Sequence, residues 1–324
     1  MRRREFVGLM GGAAAWPLMA RAEPGKPVIG FLSLGTLEQA GPLLRAFRSG
    51  LAEGGLVEGR NVAIEFRWGD SNDRLAAMAS DLVQRKVTAI VTAGPVSTAK
   101  AAKAATDTIP IIFAVGGDPV GFGIVDSFNR PGGNITGVTN LNFELGQKRL
   151  ELLHEMIPGA TRIALLVNPT TPLAEPMTKD LATAATSMGL ELRIERATSE
   201  QEIDNAFAAF ADWRAQGLVI GADAYFNVES EQLAALVARH ALAAIGSFPR
   251  FPRAGGLLSY GGDTAELWRL LGLYTARVLS GEKPADLPVQ QSTKVELVVN
   301  LKAAKALGIA VPMTLLGRAD EVIE

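Results

Sequence analysis

The segment Val87-Thr-Ala-Ile-Val-Thr-Ala-Gly-Pro-Val-Ser-Thr98 could hold an anionic group. Ala89–Thr92 is apolar and β-branched, which suits a strand buried on both faces. Gly94 permits close backbone approach, and Pro95 cannot extend a ladder. Ser97 or Thr98 then stands at an N-cap position before Ala99–Ala105, a strong helix former. Strand, tight turn and helix start together aim free N–H groups and a positive dipole end out of one sheet edge. A carboxylate is well received there. Taken alone, these residues also fit an ordinary capped turn. Recurrence of the unit along the chain gives it weight.

Six further places repeat the pattern. Ser33-Leu34-Gly35 closes the apolar run Val28–Ser33. Gly116-Gly117-Asp118-Pro119 closes Ile109–Val115, with Asp118 before a proline as helix N-caps often are. Asn168-Pro169 closes Arg162–Asn168. Asp223-Ala-Tyr225 follows Leu218–Gly221, and Ser247-Phe248-Pro249 ends Ala244–Phe248. Tyr260 lies in the glycine-punctuated run Gly255–Gly262, with Asp263 after it. Polar side chains and aromatic rings at the carboxyl ends of strands can bind a small molecule. Each also has a plain structural use: Asp263 as a helix cap, Asp223 as a solvated loop acid, Tyr260 as packing.

The intervening stretches predict the elements that would position these residues. Leu43, Leu44, Phe47 and Leu51 share one helical face, and Gly54-Gly55 ends that helix. Leu75, Met78, Ala79 and Leu82 follow the i, i+3, i+4, i+7 spacing of a second. Gly121–Phe128 reads as a short helix, and Ile135–Val138 as the last strand of this half. The alternation restarts after the helix Phe143–Met156, with strands at 162–168, 190–195, 218–221 and 244–248. Ser199-Glu-Gln-Glu202 is a capping box between two of them. Strands alternating with helices at this pace imply parallel, doubly wound sheets whose carboxyl ends share one side. The turns at Ser33, Gly94 and Gly116 converge there. The fold class is therefore α/β, with two lobes of one architecture and glycine-rich connections that permit hinge closure.

Composition narrows the chemistry. The 324 residues suffice for two ordinary domains. Lys plus Arg number 32 against 34 acids, a near-balance that gives no case for a nucleic-acid partner. With no cysteine, disulfides, thiol nucleophiles, thiolate metal sites and a lipidated N-terminal cysteine are excluded. His154 and His240 lie far apart in predicted helices and suggest neither catalysis nor a metal. No nucleophile elbow, phosphate-binding loop, zinc-protease motif or dinucleotide fingerprint occurs. Gly121-Phe-Gly123 starts the last and lacks its third glycine. No cofactor or metal is expected.

Residues 1–22 read as an export signal: Met1-Arg-Arg-Arg4, a mild apolar stretch Phe6–Ala15, and the small-x-small site Ala20-Arg21-Ala22. Arg3-Arg4-Glu5-Phe6-Val7 resembles a twin-arginine signal, with Sec export the alternative. The expected location is the periplasm, without a lipid anchor.

Phe113–Gly121, Arg130-Pro-Gly-Gly-Asn-Ile-Thr-Gly137, Val167-Asn-Pro169, Leu258-Ser-Tyr-Gly261, Gly281-Glu-Lys-Pro-Ala-Asp286, Lys294–Leu307 and Leu315–Glu324 are together specific. Over nearly its whole length the chain resembles the solute-binding proteins of an ABC-transporter family with the type I periplasmic-binding fold. Members of that family include tryptophan- and phenylalanine-binding receptors. The resemblance implies three crossings, near Asn140, Tyr260 and Pro288. Lobe one would comprise 27–140 plus 261–287, and lobe two 141–260 plus 288–324. It implies a monomeric receptor that holds a solute in the cleft and delivers it to an ABC permease in the inner membrane. An aromatic amino acid is the favoured solute, with small carboxylates open. Ser247-Phe248 departs from a tyrosine-containing segment of many relatives, and Pro249-Arg-Phe-Pro-Arg253 is unusual.

On this reading the solute's carboxylate meets Ser97, Thr98 and the amides after Gly94. Asp223 or Asp263 accepts an ammonium, Phe248 and Tyr260 give apolar surface, and Asn168 adds a polar contact. Ser33, Gly35, Gly116 and Asp118 complete the expected edge. Two alternatives stay open: an exported α/β enzyme, and a ligand-sensing protein that signals to a membrane receptor.

Overall fold

The computed structural model describes residues 25–324 except 70, 141 and 173. The export signal expected over 1–22 lies outside the described residues.

The first half alternates strands and helices: β1 (Val28–Leu34), α1 (Leu37–Glu53), β2 (Ala63–Gly69), α2 (Leu75–Gln84), β3 (Ala89–Ala93), α3 (Val96–Ala105), β4 (Ile111–Gly116) and β5 (Ile135–Asn140). The second half continues with α4 (Gly146–Met156), β6 (Arg162–Val167), α5 (Ala174–Ser187), β7 (Glu191–Arg196), α6 (Glu200–Asp212) and β8 (Gly217–Ile220). Then follow α7 (Ala224–Val228), α8 (Ser230–Arg239), β9 (Ala243–Gly246), α9 (Arg250–Arg253) and β10 (Leu258–Gly262). The last stretch holds α10 (Thr264–Leu279), β11 (Gln290–Ser292), β12 (Val295–Asn300), α11 (Leu301–Ala306), α12 (Met313–Leu316) and β13 (Glu321–Ile323).

The strands form two sheets. The first has the order β11-β5-β4-β3-β1-β2 and is parallel throughout. The second has the order β13-β12-β10-β9-β8-β6-β7, parallel except where β12 runs against β10. Helices cover both faces of each sheet. In lobe one, Ile29, Phe31 and Val91 pack on the α1 and α10 side, while Leu32, Ile90 and Phe113 pack on the α2 and α3 side. This two-sided burial explains the continuous apolar runs of β1, β3 and β4. Lobe two repeats the scheme, with Leu165 and Val219 under α4 and α5, and Leu166 and Leu218 under α6 and α8.

The α1–α10 contact rests on small residues. A Cβ at Gly50 would run into the carbonyl of Arg269, and one at Gly272 into the carbonyl of Phe47. One at Gly54 would meet the Ala276 methyl. Gly50 and Gly54, like Gly272 and Ala276, are one turn apart and let the two backbones touch.

Three local expectations differ from the structure. Gly121–Phe128 forms successive turns instead of a helix, because Gly123 takes a φ of 72° and ends the single turn begun at Asp118. Helix α3 begins two or three residues earlier than expected, with Pro95 in place of Ser97 or Thr98 as its cap, so Ser97 and Thr98 lie inside the first turn. The crossing expected near Pro288 falls after Ser292, because β11 pairs with β5 and extends the first sheet.

Candidate functional site

The chain leaves the first sheet at the carboxyl end of β5 and the second at the carboxyl end of β10, which runs parallel to β9. Crossings at those places join carboxyl edge to carboxyl edge, so the strand ends of the two lobes face each other. Small molecules bind at such edges in open α/β sheets.

On lobe one, Ser33 is buried and its hydroxyl donates to the Ala93 carbonyl at 2.8 Å, tying β1 to β3. Gly94 is exposed with φ 114°, and Gly35 has φ 94°; both are positions that favour glycine. Ser97 is half-buried and donates to Asn72 Oδ1 at 2.7 Å, fixing the β3–α3 turn to the loop after β2. Thr98 is fully buried and donates to the Pro95 carbonyl at 2.7 Å, so it braces the turn and offers no hydroxyl at the edge. Asp118 Oδ1 accepts the Val120 amide at 2.9 Å. Gly116 lies beside Asn140, and a Cβ there would come to 3.3 Å from Asn140 Oδ1. The edge is thus mainly backbone: glycine turns and the first-turn amides of α3.

Lobe two contributes the charge. Asn168 is 8% exposed. Its Oδ1 accepts the Thr170 amide at 3.0 Å, and its Nδ2 donates to Asp223 Oδ1 at 2.9 Å. Asp223 caps α7, with Oδ1 also accepting the Tyr225 amide at 2.9 Å. Its Oδ2 has no protein partner among the described residues. Burial raises the Asp223 pKa above the ordinary aspartate value, and the Asn168 and Tyr225 hydrogen bonds only partly oppose it. A cation at Oδ2 would relieve that cost.

Asp263 is placed differently. It caps α10 through the Glu266 amide at 3.0 Å, and its Oδ2 pairs with Lys294 at 2.8 Å. Burial alone would raise its pKa, but the Lys294 hydrogen bond, the Glu266 amide and the Lys294 charge together leave it lowered. With both oxygens occupied, Asp263 is a hinge brace. Phe248 follows β9 and Tyr260 lies within β10; both are half-buried. Exposed apolar side chains also stand at these edges: Leu37 and Val120 on lobe one, Val228 on lobe two.

Sequence reasoning missed the polar core of the hinge. Arg149 on α4 is fully buried and donates to the Asn142 carbonyl at 2.7 Å and the Tyr260 carbonyl at 3.1 Å. Asn142 Oδ1 accepts the Gly262 amide at 2.6 Å. Burial pushes the Arg149 pKa down to about 10, opposed most by the nearby Glu144 carboxylate. The available signal was its place on one helical face with Leu153 and Met156. Among the described residues no group of His, Cys, Asp or Glu could hold a metal ion, and no helix is long and apolar enough to cross a membrane.

Three comparisons agree with this architecture. A family model described as ABC transporter substrate binding protein matches residues 41–323. A tyrosine-binding protein from Clostridioides difficile is 28% identical over 266 residues, covering 81% of this chain and 75% of the relative. The structure of an ABC domain in complex with L-Trp from Streptococcus pneumonia superimposes with a TM-score of 0.84 at 25% identity, covering 92% of this chain and 100% of the other. A conserved domain protein from Vibrio cholerae gives 0.84 at 24%, covering 92% and 99%, and supports the fold.

Proposed function

From the premise that this chain belongs to the ABC transporter substrate binding protein family, with the two-lobed type I periplasmic-binding fold, we propose that it is an exported receptor for an amino acid, aromatic by preference. It binds without turnover as a monomer in the periplasm and delivers the solute to an inner-membrane ABC permease.

The observation that carries this reading is the half-buried Asp223, whose Oδ1 alone is taken by Asn168 and the Tyr225 amide, at the carboxyl edge of lobe two, together with the first-turn amides of α3 at the carboxyl edge of lobe one. An α-amino acid presents an ammonium and a carboxylate on adjacent atoms. The ammonium meets Asp223, positioned by Asn168. The carboxylate meets the α3 amides and Ser97. Phe248, Tyr260 and the rim residues Leu37, Val120 and Val228 give apolar surface to the side chain. Because the solute touches both lobes, it favours the closed arrangement. The relatives that bind tyrosine and tryptophan support the aromatic preference.

Isothermal titration with L-tyrosine, L-tryptophan and L-phenylalanine tests the proposal, alongside tyramine and 3-phenylpropionate, which each lack one charged group. Binding of at least one amino acid, and at least tenfold weaker binding of both analogues, is the expected result. Equal binding of 3-phenylpropionate would remove Asp223 from the site.

A further inference from the structure

At the carboxyl ends of β8 and β9 lies a cavity of about 10 Å³, lined by Ile220, Phe226, Asn227, Ser247, Phe248 and Phe251 among others. That is room for about one water-sized group. Most of the wall is apolar or backbone, with three phenylalanines, Phe226, Phe248 and Phe251. Yet Ser247 Oγ and Asn227 Oδ1 are buried and lack a hydrogen-bond partner. Ser247 is only 3% exposed. Buried polar atoms are nearly always paired, so two unpaired ones beside a single small cavity require a cause. The cavity adjoins Asp223 and Phe248 in sequence and strand position, at the edge that carries the amino-acid site.

We infer that this cavity is a specificity subsite, which takes one hydroxyl from the far end of the solute's side chain. The inference rests on the amino-acid reading of the cleft. A hydroxyl satisfies both protein atoms: its O–H donates to Asn227 Oδ1, and its oxygen accepts from the Ser247 hydroxyl. Phe226, Phe248 and Phe251 surround the group and exclude competing water. A side chain without the hydroxyl leaves both protein atoms unmatched, and sites built this way reject the deoxy analogue strongly. The small volume admits one oxygen and no larger substituent.

The test is calorimetric affinity of the whole protein for L-tyrosine and L-phenylalanine, in the wild type and in Ser247→Ala and Asn227→Ala. Wild type is expected to favour tyrosine by about tenfold or more, the usual worth of a well-made hydrogen bond to a buried group. Each variant should lower that ratio at least threefold. Equal wild-type affinities, or variants that weaken both amino acids by the same factor, overturn the subsite and leave the amino-acid reading standing. Binding of neither amino acid overturns the subsite, and the amino-acid reading falls with it only if L-tryptophan also fails to bind. If Ser247→Ala fails to fold by circular dichroism, the wild-type ratio and Asn227→Ala decide.

Discussion

The guanidinium of Arg149 donates to the backbone carbonyl of Tyr260 at 3.1 Å, across 111 residues of chain. Its other terminal nitrogen donates to the Asn142 carbonyl at 2.7 Å, and Asn142 in turn accepts the Gly262 amide. One buried cation thereby fastens the first crossing to the second. The third joins through Asp263, whose amide donates to the Lys294 carbonyl at 2.9 Å and whose carboxylate pairs with Lys294.

Arg149→Met should therefore destabilise the fold by about 2–4 kcal/mol, because it leaves two buried carbonyls without donors. The expected readout is a lowered urea midpoint with an unchanged slope. An unaltered midpoint would mean that water replaces the guanidinium.

Asp223→Asn should weaken amino-acid binding by about 30-fold or more, as loss of one partner of a hydrogen-bonded charge pair enclosed on binding does. In the wild type, affinity should fall on acidification through the Asp223 pKa, which lies above the ordinary aspartate value. The variant should lose that dependence. Titration calorimetry between pH ~4.5 and ~7.5 measures both effects.

Asp223 and Asp263 should affect unliganded stability with opposite sign. The raised Asp223 pKa means the folded state binds its proton more tightly, so this contribution grows as pH falls from the folded value towards the unfolded one. The lowered Asp263 pKa gives stability that is present above the unfolded value and lost as pH falls through the folded one. Asp263→Ala should cost about 1 kcal/mol as a lost helix cap. Lys294→Met should cost about 0.5 kcal/mol or less, because that lysine is 66% exposed. Denaturation midpoints across the acid range distinguish the two carboxylates.

Gly272→Ala should cost about 3 kcal/mol or more, since the new methyl would press on the carbonyl of Phe47 and part α1 from α10. Gly50→Ala should act alike, and the pair should cost less than the sum because both break one contact. Thermal unfolding of the three variants tests this; an additive result would place the two glycines in independent contacts.

Closure can be followed by a fluorophore pair at Val120→Cys and Val228→Cys, one on each lobe at exposed rim positions. The chain has no cysteine of its own to compete for label. Energy transfer should rise on addition of whichever amino acid binds. A constant signal at saturation would rule out closure as the response to solute.

The two-lobed α/β fold was legible because buried parallel strands are apolar on both faces and glycine or proline ends each one. The capping box at Ser199 was equally plain: Ser199 accepts the Glu202 amide, and Glu202 accepts from Thr198. Position-specific roles were harder. Thr98 reads as a cap in sequence, and only the structure shows that Pro95 takes that place and buries the hydroxyl. Asp223 and Asp263 look alike as acids before helices. Lys294, which occupies Asp263, is 31 positions away along the printed sequence and nothing local announces it. Arg149 was hidden because arginine on a helix ordinarily faces water, and its partners are carbonyls that no residue type encodes. Gln290–Ser292 is too short and polar to announce a strand; pairing with β5 makes it one.

The seat of α10 on α1 also governs the order of assembly. A ribosome delivers β1 to β5 well before residues 264–279 exist, so the glycine face of α1 has nothing to lie against while lobe two is being made. Lobe two likewise waits for β12 and β13. Both halves are thus finished by the carboxyl-terminal segment, and a nascent chain stays incomplete almost to its end.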